Sequence, residues 1–156
     1  MAKKPKQSKI LPIHILNGPN LNLLGFREPE VYGKTTLAEI EKMCAAQAAS
    51  HGLSIVFRQS NHEGEIVDQL QEARTGASAV ILNPAGYGHT SIAILDSIQA
   101  LAIPVIECHL SNIHRREPYR HLSYVSKGAT GIIMGLGAQG YLRAIDALAN
   151  ILKVKK

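Results

Sequence analysis

Short apolar runs recur along the chain at near-regular intervals: residues 12–16 (PIHIL), 53–57 (LSIVF), 79–82 (AVIL), 104–106 (PVI) and 131–134 (GIIM). Each is rich in Ile and Val and bounded by polar residues, Gly or Pro, the pattern of a buried strand. Between the runs the spacing becomes helical. Residues 36–50 open on Thr36 with Glu39 three positions on, a capping box, and His51-Gly52 reads as their end. Residues 63–74 set Ile66, Val67 and Leu70 at helical spacing and stop at Gly76. Residues 91–101 and 138–152 follow the same logic. Alternation of this kind predicts an α/β fold with a five-stranded parallel sheet and helices on both faces. No internal repeat or linker divides the chain, so residues 10–152 read as a single domain. Residues 1–9 read as a disordered basic tail and 153–156 as a second basic tail.

Composition narrows the functional classes. The 156 residues are 46% hydrophobic and 19% charged, which excludes a fibrous or wholly disordered chain. No apolar run is long enough to cross a membrane, and no signal-like core follows the basic N-terminus. Cys44 and Cys108 have neither a disulfide-framework nor a metal-ligand spacing, which points to a reducing cytoplasm. The net charge of +5 would suit nucleic acid, but seven of the 17 basic residues lie before residue 10 or after residue 152. The rest of the chain sets ten basic residues against all 12 acidic ones. With no Trp and two Phe, base-stacking platforms are also scarce. A nucleic-acid or membrane partner is therefore not expected.

In an open parallel sheet, ligands bind beyond the carboxyl ends of the strands. The segments there are 17–22 (NGPNLN), 58–63 (RQSNHE), 83–91 (NPAGYGHTS), 107–112 (ECHLSN) and 135–140 (GLGAQG). The first four carry amides, hydroxyls and imidazoles, a set suited to a small polar ligand. Glu107 and His109 lie two apart and share a strand face. A carboxylate there fixes the imidazole tautomer and raises its basicity, which suits proton transfer; a buried structural ion pair is the alternative. The N–H groups of Leu110 and Ser111 form either an anion-binding nest or an ordinary turn. Thr90 or Ser91 could cap the helix that follows, and Asn83 and His89 point toward the same space. The G-x-G-x-x-G of residues 135–140 lies after the last strand with no second βαβ half, so it reads as close helix–sheet packing. Residues 25–33 (GFREPEVYG) form a long Gly-bounded loop, the kind that serves as a lid. It holds Arg27 and Tyr32. A free tyrosine is too weakly acidic to act as a base at neutral pH, and a neighbouring guanidinium would correct that. Arg115, Arg116 and Arg120 could add positive charge for an anionic or hydroxylated ligand, or be solvated surface. Apart from the tails, the only lysines are Lys34, Lys42 and Lys127, none in the 83–91 or 107–120 clusters.

Taken together, ILNGPNLNLLG (15–25), REPEVYG (27–33), QSNHEG (59–64), HTSIA (89–93), IECHLSNIH (106–114) and GLGAQGY (135–141) resemble the type II 3-dehydroquinate dehydratases. The resemblance spans roughly residues 10–150 in family order. It implies a flavodoxin-like fold and an anti elimination of water from 3-dehydroquinate through an enolate, without metal, cofactor or Schiff base. It implies that Tyr32 is the base, with Arg27 lowering its pKa and Arg116 nearby. Asn20 would help hold the enolate oxygen. His109, oriented by Glu107, would protonate the departing hydroxyl. Leu110 and Ser111 N–H groups and the Asn83 amide would bind the substrate carboxylate, and Arg120 and His89 the ring hydroxyls. Asp96 would reach a neighbouring subunit's site in trimers assembled into dodecamers. The chain departs from the family at Ala85-Gly86, where the two small residues are exchanged in order, at Gly88, at Phe26, and at Leu95, usually arginine. The loop path is expected to survive the exchange, and Leu95 to alter ion pairing beside Asp96. The competing classes are a flavin- or nucleotide-binding module and a basic nucleic-acid-associated protein. The first is disfavoured by the Asn- and Pro-rich 17–22 loop, the second by the charge placement.

Overall fold

The computed structural model describes residues 10–154. Its five strands are β1 (Ile13–Asn17), β2 (Ile55–Gln59), β3 (Ala79–Asn83), β4 (Val105–His109) and β5 (Gly131–Met134). All pair in parallel, in the order β2-β1-β3-β4-β5. This is the doubly wound, flavodoxin-like order, as expected. The helices are α1 (Pro29–Tyr32), α2 (Leu37–Ser50), α3 (Glu63–Gly76), α4 (Ile92–Gln99) and α5 (Gln139–Val154).

Four of the strands run further toward the carboxyl edge than the apolar pattern predicts. Pairing uses the backbone, so the ladders continue into Asn17, Gln59, Asn83 and His109. At the other end Pro12 and Pro104 drop out of the strands, since proline has no N–H to donate. Their carbonyls still accept, from Ser78 and Val80.

Alternation along the strands splits the core in two. Ile13, Ile15, Ala79, Ile81, Ile106 and Cys108 face α2 and α5 and pack on Ile40, Cys44, Ala48, Tyr141, Ile145 and Leu148. Leu16, Val80, Leu82 and Val105 face the other way, onto Ile66, Leu70 and Ala73 of α3 and Ile94 and Ile98 of α4.

The helix ends follow local chemistry. Thr36 caps α2 in the expected box: Thr36 Oγ1 accepts from Glu39 N at 3.2 Å, and Glu39 Oε2 accepts from Thr36 N at 2.7 Å. Of the two candidate caps for α4, it is Ser91 that accepts, from Ile94 N at 3.0 Å. The loop of residues 25–33 is not wholly irregular: α1 forms a single turn, started by Pro29, whose missing N–H costs nothing there. The α5 helix reaches Val154, so Lys153 is helical rather than part of a tail. The remaining tail assignments, 1–9 and 155–156, fall outside the described residues. Among the described residues no helix is long and apolar enough to cross a membrane.

Candidate active site

The carboxyl edge of the sheet is where the polar residues converge. Asn17 is level with Gln59 on one side and Asn83 on the other. Glu107 sits beside Leu82, wholly buried. A carboxylate without water needs donors, and here it has three. His109 Nε2 donates to Oε1 at 2.6 Å, Ser123 Oγ donates to the same oxygen, and Ser126 Oγ donates to Oε2. Burial pushes the Glu107 pKa up, but the bonds from His109, Ser123 and Ser126 outweigh it and hold the carboxyl below its ordinary range. Glu107 is therefore charged, and the His109–Glu107 pair fixes the imidazole with Nε2 protonated. Nδ1 is left as the nitrogen outside this buried network.

His89 stacks on His109, ring centroids 6.5 Å apart and planes 15° from parallel. Its Nδ1 lies 2.8 Å from the carbonyl of Leu122. A carbonyl only accepts, so Nδ1 carries the proton and Nε2 is left for a ligand. The preceding loop turns sharply at Ala85, whose φ is +50° and whose N–H donates to Asn83 Oδ1 at 3.2 Å. The exchanged Ala85-Gly86 order sets the residue with a Cβ in the left-handed region. Gly88 fits closely: a Cβ there would stand 2.9 Å from Pro84 Cγ.

The loop after β1 holds Asn20, also left-handed at φ +67°, with its N–H on Asn61 Oδ1 at 2.9 Å. Beyond it α1 presents Tyr32. Arg116, not Arg27, makes the direct bond: its Nη1 donates to Tyr32 Oη at 2.7 Å. Burial disfavours the Arg116 charge, but the Tyr32 oxygen, with Glu117 and Glu28, outweighs that and raises its pKa above the ordinary value. Arg27 lies over the ring, its guanidinium carbon 5.9 Å from the centroid, and pairs with Glu28 at 3.5 Å. His121 Nε2 donates to the Arg116 carbonyl at 2.8 Å, which steadies the backbone that carries the guanidinium. Arg120 is braced by Glu117 at 3.0 Å.

These residues enclose a cavity of about 140 Å³. Asn20, Arg27, Tyr32, Asn83, His89, His109, Leu110, Ser111, Arg116 and Arg120 all line it. Of the residues singled out from the sequence, Glu107 stands just behind the wall, and Asp96 lies apart, exposed on α4. Among the described residues three arginines and no acidic side chain or lysine line the cavity, so it favours a small anion. No backbone or side-chain acceptor among the described residues takes the N–H of Leu110 or Ser111. Two adjacent unused donors at a strand end suit a carboxylate. Among the described residues no three His, Cys, Asp or Glu side chains cluster as a metal site. Leu95 packs toward the 123–128 segment, its Cδ1 3.0 Å from where a Gly128 Cβ would stand.

Sequence reasoning gave no role to Asn17, which opens the 17–22 segment, and passed over Ser123, Ser126, His121 and Tyr141. Tyr141 lay inside a motif already singled out. The serines are a dozen or more residues from Glu107, and no spacing signals them.

Fold and cavity define an open α/β sheet protein with a cationic, polar cavity at the carboxyl ends of its strands. Comparison with known proteins makes the class specific. Residues 11–149 match the family model described as Dehydroquinase class II. A 3-dehydroquinate dehydratase of a Caulobacter species is 61% identical over 142 residues, 91% of this chain and 97% of that one. One from Streptomyces coelicolor is 53% identical, covering 94% of each chain. The crystal structure of type II dehydroquinase from Propionibacterium acnes superposes with a TM-score of 0.87 at 41% identity, over 89% of this chain and 96% of that one. The chain belongs to the class II dehydroquinase family.

Proposed function

We propose that this cavity eliminates water from 3-dehydroquinate to give 3-dehydroshikimate, the shikimate-pathway reaction of the family. The observation that carries the roles is two proton-handling side chains set across one cationic cavity. Tyr32 Oη is held by Arg116 at 2.7 Å, and His109 is held by the buried Glu107 at 2.6 Å.

Tyr32, as phenolate under Arg116 and Arg27, takes the proton from the carbon beside the ketone. The electron pair moves onto the carbonyl oxygen, and the enolate is held through Asn20 and a water. The enolate then collapses, the carbon–oxygen bond to the departing hydroxyl breaks, and His109 supplies the proton that makes it water. Glu107 stabilises the imidazolium before that transfer. The substrate carboxylate rests on the Leu110 and Ser111 N–H groups and the Asn83 amide, with Arg120 and His89 on the ring hydroxyls. The elimination is redox-neutral, and every proton and electron pair is handled by these groups, so no cofactor is required.

By membership of the family the chain assembles as trimers, a dodecamer in full, in which Asp96, exposed on α4 and outside its own cavity, approaches a neighbour's site. Two buried free cysteines support a cytoplasmic location. The direct test adds 3-dehydroquinate to the purified protein and follows the conjugated enone by ultraviolet absorbance. No rise in absorbance with folded protein rejects the assignment.

A further inference from the structure

Tyr141 is the third residue of α5, and its side chain is wholly buried against the sheet face that carries Asn17 and Asn83. Those two asparagines end β1 and β3 and are register partners. The Tyr141 hydroxyl joins them: it donates to Asn17 Oδ1 at 2.7 Å and accepts from Asn83 Nδ2 at 2.9 Å. Both ends of this run stop on backbone groups of fixed polarity. Asn17 Nδ2 donates to the Arg58 carbonyl at 2.9 Å, and Asn83 Oδ1 accepts from Ala85 N at 3.2 Å. Flipping either amide would set donor against donor and acceptor against acceptor, so the direction of the whole run is determined. One Nδ2 hydrogen of Asn83 is spent on Tyr141. The other is uncommitted, on a residue that lines the cavity.

We infer that Tyr141 is a positioning residue that holds the Asn83 amide with an N–H toward the cavity, and so favours a carboxylate-bearing ligand over a neutral one. The inference rests on the reading of Asn83 as part of the carboxylate anchor. Tyr141 itself does not line the cavity, so it acts only through Asn83. Burial raises the Tyr141 pKa well above its ordinary value, which keeps the hydroxyl protonated and donating to Asn17. Phenylalanine at this position would keep the ring packing but leave Asn17 Oδ1 and Asn83 Nδ2 unpaired. Asn83 would then be held only by the longer bond from Ala85, free to turn its oxygen toward the anion.

The test is steady-state kinetics of Tyr141→Phe, Asn83→Ala and the double variant, with the neutral methyl ester of 3-dehydroquinate as a competitor. Tyr141→Phe should raise the KM for 3-dehydroquinate about tenfold, the scale of one buried hydrogen bond, with kcat held within about threefold. The inhibition constant of the ester should move less than about twofold, which a general loosening of the site would not allow. The double variant should be no worse than Asn83→Ala. A Tyr141→Phe enzyme with unchanged KM, beside an Asn83→Ala enzyme with raised KM, overturns the inference alone. So do losses that add in the double variant. An unchanged KM in Asn83→Ala rejects the anchor reading and the inference with it. If Tyr141→Phe fails to fold by circular dichroism, Asn17→Ser takes its place: a severalfold rise in KM, not additive with Asn83→Ala, supports the inference, and an unchanged KM overturns it.

Discussion

Replacing Glu107 by Gln removes a charge while nearly preserving shape. The parent carboxylate accepts from His109 Nε2 at 2.6 Å and from two serine hydroxyls, all out of water. A glutamine can keep its oxygen under His109 and Ser123 and turn its NH₂ toward Ser126, whose hydroxyl rotates to accept. The hydrogen bonds therefore survive in number, and the variant should fold. What is lost is the carboxylate beside the imidazolium. Exchanging a charged for a neutral acceptor costs about 1.5 kcal/mol, and the Coulomb term at about 4 Å is roughly 4 kcal/mol at an effective dielectric of about 20. At about 1.4 kcal/mol per tenfold, kcat should fall by roughly 10 to 10³. His109→Ala, which removes the acid itself, should cost more. Stability has its own signature. Glu107 titrates below its unfolded value, so its stabilisation is present above the unfolded pKa and is lost as pH falls through the folded one. The glutamine variant lacks that dependence, so the difference in melting temperature between the two proteins should change only in acid. The assays are enone absorbance for kcat and thermal unfolding across pH. A folded Glu107→Gln with parental kcat, or one worse than His109→Ala, refutes the assignment of roles.

Three further outcomes are expected. Tyr32→Phe removes only the proposed base and should lower kcat by about 10²–10⁴ or more with unchanged unfolding; activity within a few-fold of the parent moves the base elsewhere. Ala85→Gly should raise the melting temperature by about 2–4 °C, because relief of the left-handed alanine, about 1–2 kcal/mol, exceeds the added freedom of glycine in the unfolded chain. A lower melting temperature would mean that the φ of +50° is not strained. Asp96→Ala should weaken substrate binding or assembly, read by KM and sedimentation, and a fully active parental monomer would sink that reading.

The central strands β1, β3 and β4 were legible because burial on both faces leaves an almost uninterrupted apolar run, the edge strands β2 and β5 because Ile and Val cluster there, and α2 because Thr36 and Glu39 announce its start. The polar strand ends were legible for a complementary reason: amides and imidazoles following Ile-Val runs have no core role to explain them. Pattern could not show which arginine reaches Tyr32. Arg27 is close in sequence, yet Arg116, eighty-four positions away, makes the bond. The turn α1 was hidden because four residues are too few for a helical period. Ser123 and Ser126 were hidden because a serine in a loop looks like solvation until a buried carboxylate is found against it. Ala85 shows a finer limit: exchanging two small residues leaves composition untouched, and only the backbone angle reveals which of them bears the strain.

The register of β4 ties these parts together. On β1 and β3 the odd-numbered positions face α2 and α5, which sets Asn17 and Asn83 over Tyr141. On β4 it is Ile106 and Cys108 that face that way, leaving Glu107 and His109 on the opposite face, where Ser123 and Ser126 reach the carboxylate. The proposed anchor and the proposed acid thus come from opposite faces of one sheet, and they can meet only at the edge where both faces end. A one-residue slip of β4 would put Cys108 where His109 stands. Where it stands, burial, with Cys44 and Glu107, pushes the Cys108 thiol pKa up to about 12, so it is a neutral core residue. What it does supply is a fit, since a Cβ on Gly140 would stand 3.4 Å from its Sγ. That contact seats the first turn of α5 on β4, and the next residue along is Tyr141. The glycine motif that leads into α5 thus brings the Tyr141 hydroxyl within reach of both asparagines.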